Sequence, residues 1–192
     1  MSLLVEDLDI EDRIARRLRE RRDALRLSLE DLAQRSGVSR AMISKVERRE
    51  SSPTAALLGR LCSGLGITLS SLMASAERRA TPLLRAGEQP QWRDPATGLL
   101  RVAVSPAAPG TAVEIVRIEL PRGAAVAYEA QRHLDYGQHV LVLDGTLTIA
   151  VGAERFSLAA GDCLFMRVGE GVRFANDGAR LCRYLVVLNK AA

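Results

Sequence analysis

Apolar residues recur at helical spacing in the first part of the chain. From Ile14 to Leu72 they return every three or four residues, which is the period of one face of an α-helix. Residues typical of helix ends divide this stretch, since Ser28 and Asp31 can form a capping box and Gly37 suits the left-handed position after a helix. The pattern predicts five helices, near residues 11–25, 29–36, 40–47, 53–64 and 69–75.

After Arg79 the apolar period changes to two. Short alternating or β-branched runs are separated by Gly, Pro, Asn and Asp, and they read LLRVAV, TAVEIVRIEL, AAVAY, HVLVLDGTLTIAV, ERFSL, DCLFMRV and LCRYLVVL. Asp144 and Gly145 stand between two apolar runs, which predicts a β-hairpin. Many short strands without helices between them predict an antiparallel β-barrel or jelly roll.

The change of period indicates two domains in an α+β protein. A chain of 192 residues is long enough for each domain to bury its own core. We assign residues 11–75 to the five-helix bundle, residues 76–85 to a linker and residues 86–190 to the β-barrel.

The stretch SLEDLAQRSGVSRAMISKV has the order of a helix-turn-helix, with a capped helix, a glycine turn and a second capped helix. Apolar residues occupy the positions that must pack at the turn and beneath both helices: Leu32, Ala33, Val38, Ile43 and Val46. The N-terminal end of the second helix is then polar on its outer face. In a recognition helix, this end reaches base edges in the major groove of DNA.

We therefore predict DNA contacts at Gln34, Ser39, Arg40, Ala41, Ser44 and Lys45. Arg40 can bond guanine bidentately, and Lys45 can bond guanine or a phosphate. Gln34 and Ser39 lie near the place where phosphates pass a helix N-terminus. The alternative is a helical bundle that docks a protein and binds no DNA.

Charge is distributed unevenly between the two halves. Residues 11–49 hold 12 Lys and Arg against 7 Asp and Glu, a net charge of +5, whereas residues 81–192 hold 12 against 11, a net charge of +1. A local positive field attracts polyanions such as nucleic acid. The basic excess therefore favours the DNA-binding interpretation of the first half.

Residues 14–73 resemble the Cro/repressor-type helix-turn-helix domain of the XRE family, a λ-repressor-like fold, without a gap. In that family an arginine late in the first helix pairs with a glutamate that ends the recognition helix, and the matching residues are Arg22 and Glu47. The resemblance implies that this pair fixes the angle of the recognition helix. The alternative for Arg22 is a solvated charge among neighbouring arginines.

A single unit of this size makes few phosphate contacts. Proteins of this class gain affinity by dimerising over two half-sites roughly 34–36 Å apart. We therefore expect a homodimer that binds a nearly palindromic operator in double-stranded DNA.

Residues 110–188 resemble a cupin, a double-stranded β-helix. The four ligand positions of a metal cupin correspond to Gln131, His133, Gln138 and Val172. Valine cannot ligate and glutamine amides are weak neutral donors, so we expect no metal, no cofactor and no catalytic residues. His139 cannot substitute, because adjacent residues of a strand point to opposite faces of the sheet.

The β domain still carries polar residues that suit a small-molecule site at one mouth of an apolar barrel. The predicted ligand-binding residues are Tyr128, Gln131, His133, Gln138, Arg167 and Asn176. The alternative is that they satisfy one another inside a vestigial barrel. We expect the outer strands to supply the dimer surface.

An XRE helix-turn-helix followed by a cupin is a domain order of bacterial transcriptional regulators. The resemblance implies that the first half binds an operator while the second joins two copies and senses an effector. Two alternatives remain, a metal-dependent cupin enzyme and a regulator whose barrel holds a partner protein. The missing metal ligands speak against the enzyme.

Composition excludes several other classes of protein. A hydrophobic fraction of 47% and a charged fraction of 26% are typical of a folded globular chain. No apolar run approaches the roughly 20 residues of a membrane helix, and the acidic start is unlike a signal peptide, so we expect a cytoplasmic protein. Three distant cysteines, Cys62, Cys163 and Cys182, predict buried thiols and neither a disulfide framework nor a zinc cluster.

Overall fold

A computed structural model describes residues 10–73, 82–106, 112–130, 136–167 and 169–190. The helices in these ranges are α1 Ile10–Ala24, α2 Leu29–Ser36, α3 Arg40–Glu47, α4 Ala55–Leu65 and α5 Leu69–Met73. A short 3-10 turn, Ala86–Glu88, was not predicted. The helix expected from residue 53 starts at Ala55, because the Thr54 hydroxyl accepts a hydrogen bond from the Leu57 amide (3.3 Å) and caps it.

Capping residues set the geometry of the helix-turn-helix. Ser28 and Asp31 form the predicted capping box, with the Asp31 amide 3.1 Å from the Ser28 hydroxyl and the Ser28 amide 2.8 Å from the Asp31 carboxylate. Gly37 ends α2 at a φ of 66°, which favours glycine. Ser39 then caps α3 by accepting a hydrogen bond from the Met42 amide (3.3 Å). The turn therefore follows from local chemistry.

The helices enclose an apolar core in which each of these side chains is at most 2% exposed: Ile14, Leu18, Leu32, Ile43, Leu58, Leu61, Leu65 and Leu72. Burial of one such side chain contributes about 1.5–3 kcal/mol. The sum offsets the conformational entropy that the short helices lose when they order.

The strands form two antiparallel sheets. They are β1 Gln91–Arg93, β2 Leu100–Ala103, β3 Val113–Leu120, β4 Ala125–Tyr128, β5 Tyr136–Asp144, β6 Thr146–Val151, β7 Glu154–Ala159, β8 Cys163–Arg167, β9 Val172–Ala175 and β10 Cys182–Lys190. One sheet has the order β1-β2-β3-β10-β5-β8 and the other β4-β9-β6-β7. Hydrogen bonds between the described strands do not join the two sheets, so the arrangement is a β-sandwich, and a closed barrel is not shown.

The hairpin predicted at Asp144 and Gly145 is wrong. Strand β5 pairs with β10 and β8, whereas β6 pairs with β7 and β9 in the other sheet. Gly145 has a φ of 84°, and a Cβ there would lie 3.0 Å from the Leu181 carbonyl oxygen. The glycine therefore turns the chain from one sheet to the other, a corner with the same local signal as a hairpin.

The helical unit and the sandwich are in direct contact through α4 and α5. The buried carboxylate of Asp94 accepts a hydrogen bond from the Ala55 amide at the start of α4 (3.2 Å). The Thr68 hydroxyl donates to Glu114 (3.1 Å), and Arg60 lies 3.8 Å from Glu129. The predicted linker, residues 76–85, falls mostly outside the described residues.

Candidate nucleic-acid interface and ligand cavity

Helix α3, its cap and the preceding helix α2 present most of the predicted DNA-contacting side chains to solvent. Gln34, Ser39, Arg40, Ala41 and Lys45 are exposed, and Ser44 is half-buried. Ile43 and Val46 on the opposite face are at most 2% exposed and anchor the helix. Arg40 and Lys45 form no ion pair with any described residue, so their charges are available to a polyanion.

The predicted Arg22–Glu47 pair is confirmed. Arg22 Nε lies 2.8 Å from Glu47 Oε1 and Nη2 lies 2.9 Å from Oε2, which is a bidentate ion pair. Only 12% of the Arg22 side chain and 7% of the Glu47 side chain are exposed. The hydrogen bond to Glu47 raises the pKa of Arg22 above its ordinary value, so the guanidinium stays charged. The pair joins α1 to the last residue of α3.

A second ion pair, which the sequence did not predict, braces the same end of α3. The Arg49 guanidinium contacts the Asp12 carboxylate on α1. Arg49 has a φ of 61°, in the left-handed region that non-glycine residues seldom adopt. The chain therefore turns sharply after α3 and places the Arg49 guanidinium against α1.

A cavity of about 80 Å³ lies between the inner faces of the two sheets and the helical unit. Helix α4 contributes Gly59 and Cys62 to its wall, the turn before α5 contributes Thr68, and α5 contributes Leu69. Its polar lining comes from six side chains: Cys62, Thr68, Arg101, Tyr128, Gln138 and Tyr184. The remaining lining is mostly aliphatic and aromatic, as expected for a small-molecule site.

The structure brings only some of the predicted ligand-binding residues to this cavity. Tyr128 and Gln138 line it. Gln131 and His133 lie outside the described residues. Neither Arg167 nor Asn176 lines it, and their part in ligand binding stays a prediction.

Arg167 and Asn176 are occupied elsewhere for different reasons. Arg167 is exposed and pairs in register with Gly137, so strand alternation places it on the outer face of its sheet. Asn176 is fully buried, and its amide donates to the carbonyls of Leu120 (2.9 Å) and Arg180 (2.8 Å). Its carbonyl oxygen accepts from the Gly178 amide (3.1 Å). Asn176 therefore anchors a turn.

Sequence reasoning missed Arg101, which is only 9% exposed on β2. The residue pairs with Ile118 on β3, and Ile118 pairs in turn with Tyr184 on β10. These three side chains therefore lie side by side on the inner face of the six-stranded sheet. The available signal was a lone charge within the apolar run LLRVAV.

The other polar groups of the cavity stay neutral at physiological pH. Burial raises the pKa of the Tyr128 and Tyr184 phenols above their ordinary values, despite the opposing effect of the nearby Arg101 charge. Burial likewise raises the pKa of the Cys62 thiol to about 12. Both phenols therefore keep a proton that they can donate.

The described residues at the metal-cupin positions do not fit a metal ion. Gln138 and Val172 both line the cavity, but they offer one amide and one hydrocarbon side chain. No group of three or more His, Cys, Asp or Glu that could hold a metal occurs among the described residues. His139 is exposed on the outer face with its ring centroid 4.9 Å from that of Phe165, which confirms that it points away from Gln138.

Comparison with known proteins identifies both halves. A helix-turn-helix family model matches residues 18–72, and a cupin domain model matches residues 116–188. The chain is 33% identical over 156 residues to the HTH-type transcriptional regulator SutR of Escherichia coli K12, covering 81% of this chain and 78% of SutR. It is 23% identical over 171 residues to the regulator PuuR of the same organism, covering 88% of this chain and 91% of PuuR.

A solved structure supports the same fold. The crystal structure of an HTH_3 family transcriptional regulator from Vibrio cholerae superposes with a TM-score of 0.78 at 24% identity, covering 95% of this chain and 98% of that chain. A helix-turn-helix joined to a cupin sandwich defines a class of transcriptional regulators. The chain belongs to this class, the XRE-type helix-turn-helix regulators with a C-terminal cupin domain. Among the described helices, none is long and apolar enough to cross a bilayer.

Proposed function

We propose that this cytoplasmic regulator binds operator DNA as a homodimer and senses a small molecule with its cupin domain. Residues 11–75 serve as the DNA-binding domain, and residues 86–190 serve as the sensing and dimerising domain. The observation that carries the proposal is the presentation of α3, which two ion pairs to α1 brace while its outer cations face solvent.

In this proposal Arg40 reads a guanine through two hydrogen bonds, and Lys45 contacts a guanine or a phosphate. Ser39 uses a lone pair to cap α3 and keeps its O–H for a phosphate, which Gln34 also approaches. Ala41 and Ser44 lie on the same face, where a small side chain allows close approach to the bases. The charge-assisted contacts make binding weaken as salt rises.

Genome-wide capture of bound DNA fragments, followed by anisotropy titration of the recovered site, tests this proposal. Arg40→Ala should cost about 1–3 kcal/mol of operator binding and relax the choice at one base pair. Arg122→Ala removes an exposed arginine from a turn of the sandwich and serves as the control. Equal loss on all DNA sequences would make Arg40 a phosphate contact, and unchanged binding would contradict the proposed interface.

We propose the outer face of the six-stranded sheet as the dimer surface. Cross-strand register places Ile115, Val187, His139 and Phe165 in one row across this face and Leu185, Leu141 and Cys163 in the next. Phe165 is 53% exposed and Leu143, on the same face, is 46% exposed. Large contiguous apolar patches on soluble proteins usually mark interaction sites. A second copy would cover this patch with its own identical face.

Sedimentation of purified protein tests the dimer surface. Phe165→Glu places a charge in the patch and should shift the dimer toward monomer, whereas Leu83→Glu alters an equally exposed side chain outside it. A Phe165→Glu protein that remains dimeric would contradict the assignment. Co-purification of a different protein on this face would favour partner binding instead.

We propose a sensing role for the cupin domain and not a metal-dependent reaction. The support is the donor set, since Gln138 and Val172 stand where a metal cupin needs a carboxylate and an imidazole. The cavity that contains them is small, mostly apolar and shared with α4 and α5. An effector bound there changes DNA binding only if its affinity differs between two arrangements of the domains.

A further inference from the structure

The helical unit and the sandwich share one apolar core. Buried side chains of α1 to α5 and of both sheets form a single contiguous cluster. Helix α4 joins the two halves, since both helix α2 and strand β4 pack against it. The placement of the DNA-binding unit on the sandwich is therefore set by the contacts that α4 and its ends make.

The first polar contact is a buried carboxylate at the start of α4. Asp94, between β1 and β2, is 2% exposed, and its Oδ1 accepts a hydrogen bond from the Ala55 amide (3.2 Å). Neighbouring residues hold the carboxylate in place, because Oδ1 also accepts from the Ala96 amide (3.3 Å) and Oδ2 accepts from the Thr97 hydroxyl. A fixed acceptor on the sandwich therefore locates the first residue of α4.

The second polar contact lies beyond the other end of α4. Thr68 is 6% exposed, and its hydroxyl donates to Glu114 on β3 (3.1 Å) and accepts from the Ser71 amide of α5 (3.0 Å). Helix α4 has 11 residues and is about 16 Å long at 1.5 Å per residue. Attachments near both ends of a helix define the direction of its axis, whereas one attachment alone would let the helix pivot.

The segment between α3 and α4 couples the position of α4 to the recognition helix. Glu47, the last residue of α3, pairs with Arg22 on α1. Further along the segment, the Ser52 hydroxyl donates to the Glu11 carboxylate on α1 (3.0 Å), and the Thr54 hydroxyl caps α4. The segment is therefore fastened at several points, and α3 moves together with α4.

Resting on the DNA-binding dimer proposed above, we propose that Asp94 and Thr68 are positioning residues that fix the separation of the two DNA half-sites. With the sandwiches joined at the dimer surface, these two contacts hold each recognition helix at a set distance and angle from the twofold axis. The protein then reads the spacing of an operator as well as its bases. One added base pair moves a half-site by about 3.4 Å and turns it by about 34° around the duplex axis, and a rigid frame follows neither change.

Anisotropy titration of the full-length protein tests this inference with three duplexes. They are the operator recovered from bound fragments and two versions with one base pair added or removed between its half-sites. Wild-type protein should bind the two altered duplexes about a hundredfold more weakly, because it no longer engages both half-sites at once. In Asp94→Ala this difference should fall to about tenfold or less, since a loosened helical unit can reach both half-sites. The affinity of Asp94→Ala for a duplex with a single half-site should equal that of the wild type.

Matched variants separate positioning from loss of structure. Asp94→Asn keeps an acceptor for the Ala55 amide and Thr68→Ser keeps the hydroxyl, so both should retain most of the spacing preference. Thr68→Val should weaken the preference as Asp94→Ala does, and it provides the second test if Asp94→Ala does not fold. Asp162→Ala removes a carboxylate that accepts from the Ala159 amide (2.8 Å) within the sandwich, and it should leave all the affinities unchanged.

The outcomes separate the spacing inference from the wider function. Arg40-dependent binding by the wild type that is equally tight on all three duplexes overturns the inference and leaves the proposed function standing. An unchanged spacing preference in both Asp94→Ala and Thr68→Val overturns it as well. A loss that is equal on every duplex, the single half-site included, shows a structural role alone and overturns the positioning role. Binding that does not depend on Arg40 overturns the proposed DNA-binding function itself.

Discussion

The recognition helix and the cavity present their functional residues in opposite ways. The predicted DNA contacts lie within Gln34–Lys45, on two consecutive helices, and point to solvent. The polar cavity residues come from α4, β2, β4, β5, β10 and the turn before α5, and they are drawn together by packing. The exposed face of a helix-turn-helix can therefore be predicted from a short segment, whereas a cavity of this kind cannot.

Two mostly buried arginines, one in the helical unit and one in the sandwich, extend this comparison. Arg22 in the helical unit is held by the Glu47 carboxylate in a bidentate pair and has a structural role. Arg101 in the sandwich lines a cavity whose other described lining residues carry no acid. Burial alone thus says little about role, because the groups that surround a guanidinium decide what it does.

The largest expected effect is in the helical unit, at the partner of Arg22. Glu47→Ala removes the bidentate partner of a mostly buried guanidinium that still contacts the Asp23 carboxylate (2.7 Å), so the cost should be about 3 kcal/mol of unfolding free energy, the low end for a broken buried pair. Urea denaturation measures this loss. Glu50→Ala removes the partner of exposed Arg48 and should leave stability unchanged. Similar losses in both variants would contradict a bracing role for Glu47.

In the sandwich, the structural role of Asn176 predicts a smaller loss. Asn176→Ala removes the side-chain partner of one buried carbonyl, one partly buried carbonyl and one amide, so unfolding free energy should fall by about 1–3 kcal/mol. The neighbouring exposed Asp177→Ala is the control for thermal denaturation. A variant with full stability but altered effector response would restore Asn176 as a ligand-binding residue.

The contact between the two regions is the next test. Asp94→Ala removes the sandwich carboxylate at the start of α4, although Thr54 still caps the helix, so stability should fall by about 0.5–2 kcal/mol. Alkylation of Cys62 should become faster because α4 separates from the sandwich more often. Asp162→Ala, in a turn between β7 and β8, should leave the Cys62 rate unchanged. If Asp94→Ala does not change the alkylation rate of Cys62, the helical unit and the sandwich are coupled through other contacts.

The smallest expected effect concerns the three cysteines. It is a difference in their reactivity and not a loss of stability. Cys163 is exposed, which corrects the expectation that all three thiols are buried. Burial raises the pKa of Cys62 to about 12 and that of Cys182 to about 11, so both remain protonated thiols at neutral pH. In the Phe165→Glu monomer, where no second copy covers Cys163, iodoacetamide at pH 8 should therefore label this exposed thiol before the two buried ones. Mass spectrometry of the folded protein that finds Cys62 labelled as fast would contradict this.

Helix bounds and the solvent-exposed face of the helix-turn-helix were predictable because their signals are local. The predicted spans 29–36 and 40–47 coincide with α2 and α3, and the caps Ser28 and Ser39 act on amides three residues away. The alternation that placed Gln138 inward and His139 outward also needs only neighbouring residues. Such patterns can be recognised in the sequence because the groups that interact are only a few residues apart.

The sheet partners were not predictable in the same way. The run VLDGTL has the local chemistry of a hairpin, yet Gly145 leads β5 and β6 into different sheets. Strand alternation tells which side chains share a face but not which strand pairs with which. The places of Arg167 and Asn176 in the structure were not predictable for a related reason, since motif position did not reveal which face or turn each side chain occupies.

The sequence by itself determined the two-part organisation, the capped helix-turn-helix with its Arg22–Glu47 pair, and the loss of metal-ligating side chains at Gln138 and Val172. Only the tertiary structure decided that Arg101 and Tyr184 share a cavity with α4. The physical reason is the distance along the chain over which the groups interact. Caps and periodicity act over three or four residues, whereas a cavity wall depends on long chain loops whose closure is driven by the burial of the whole core.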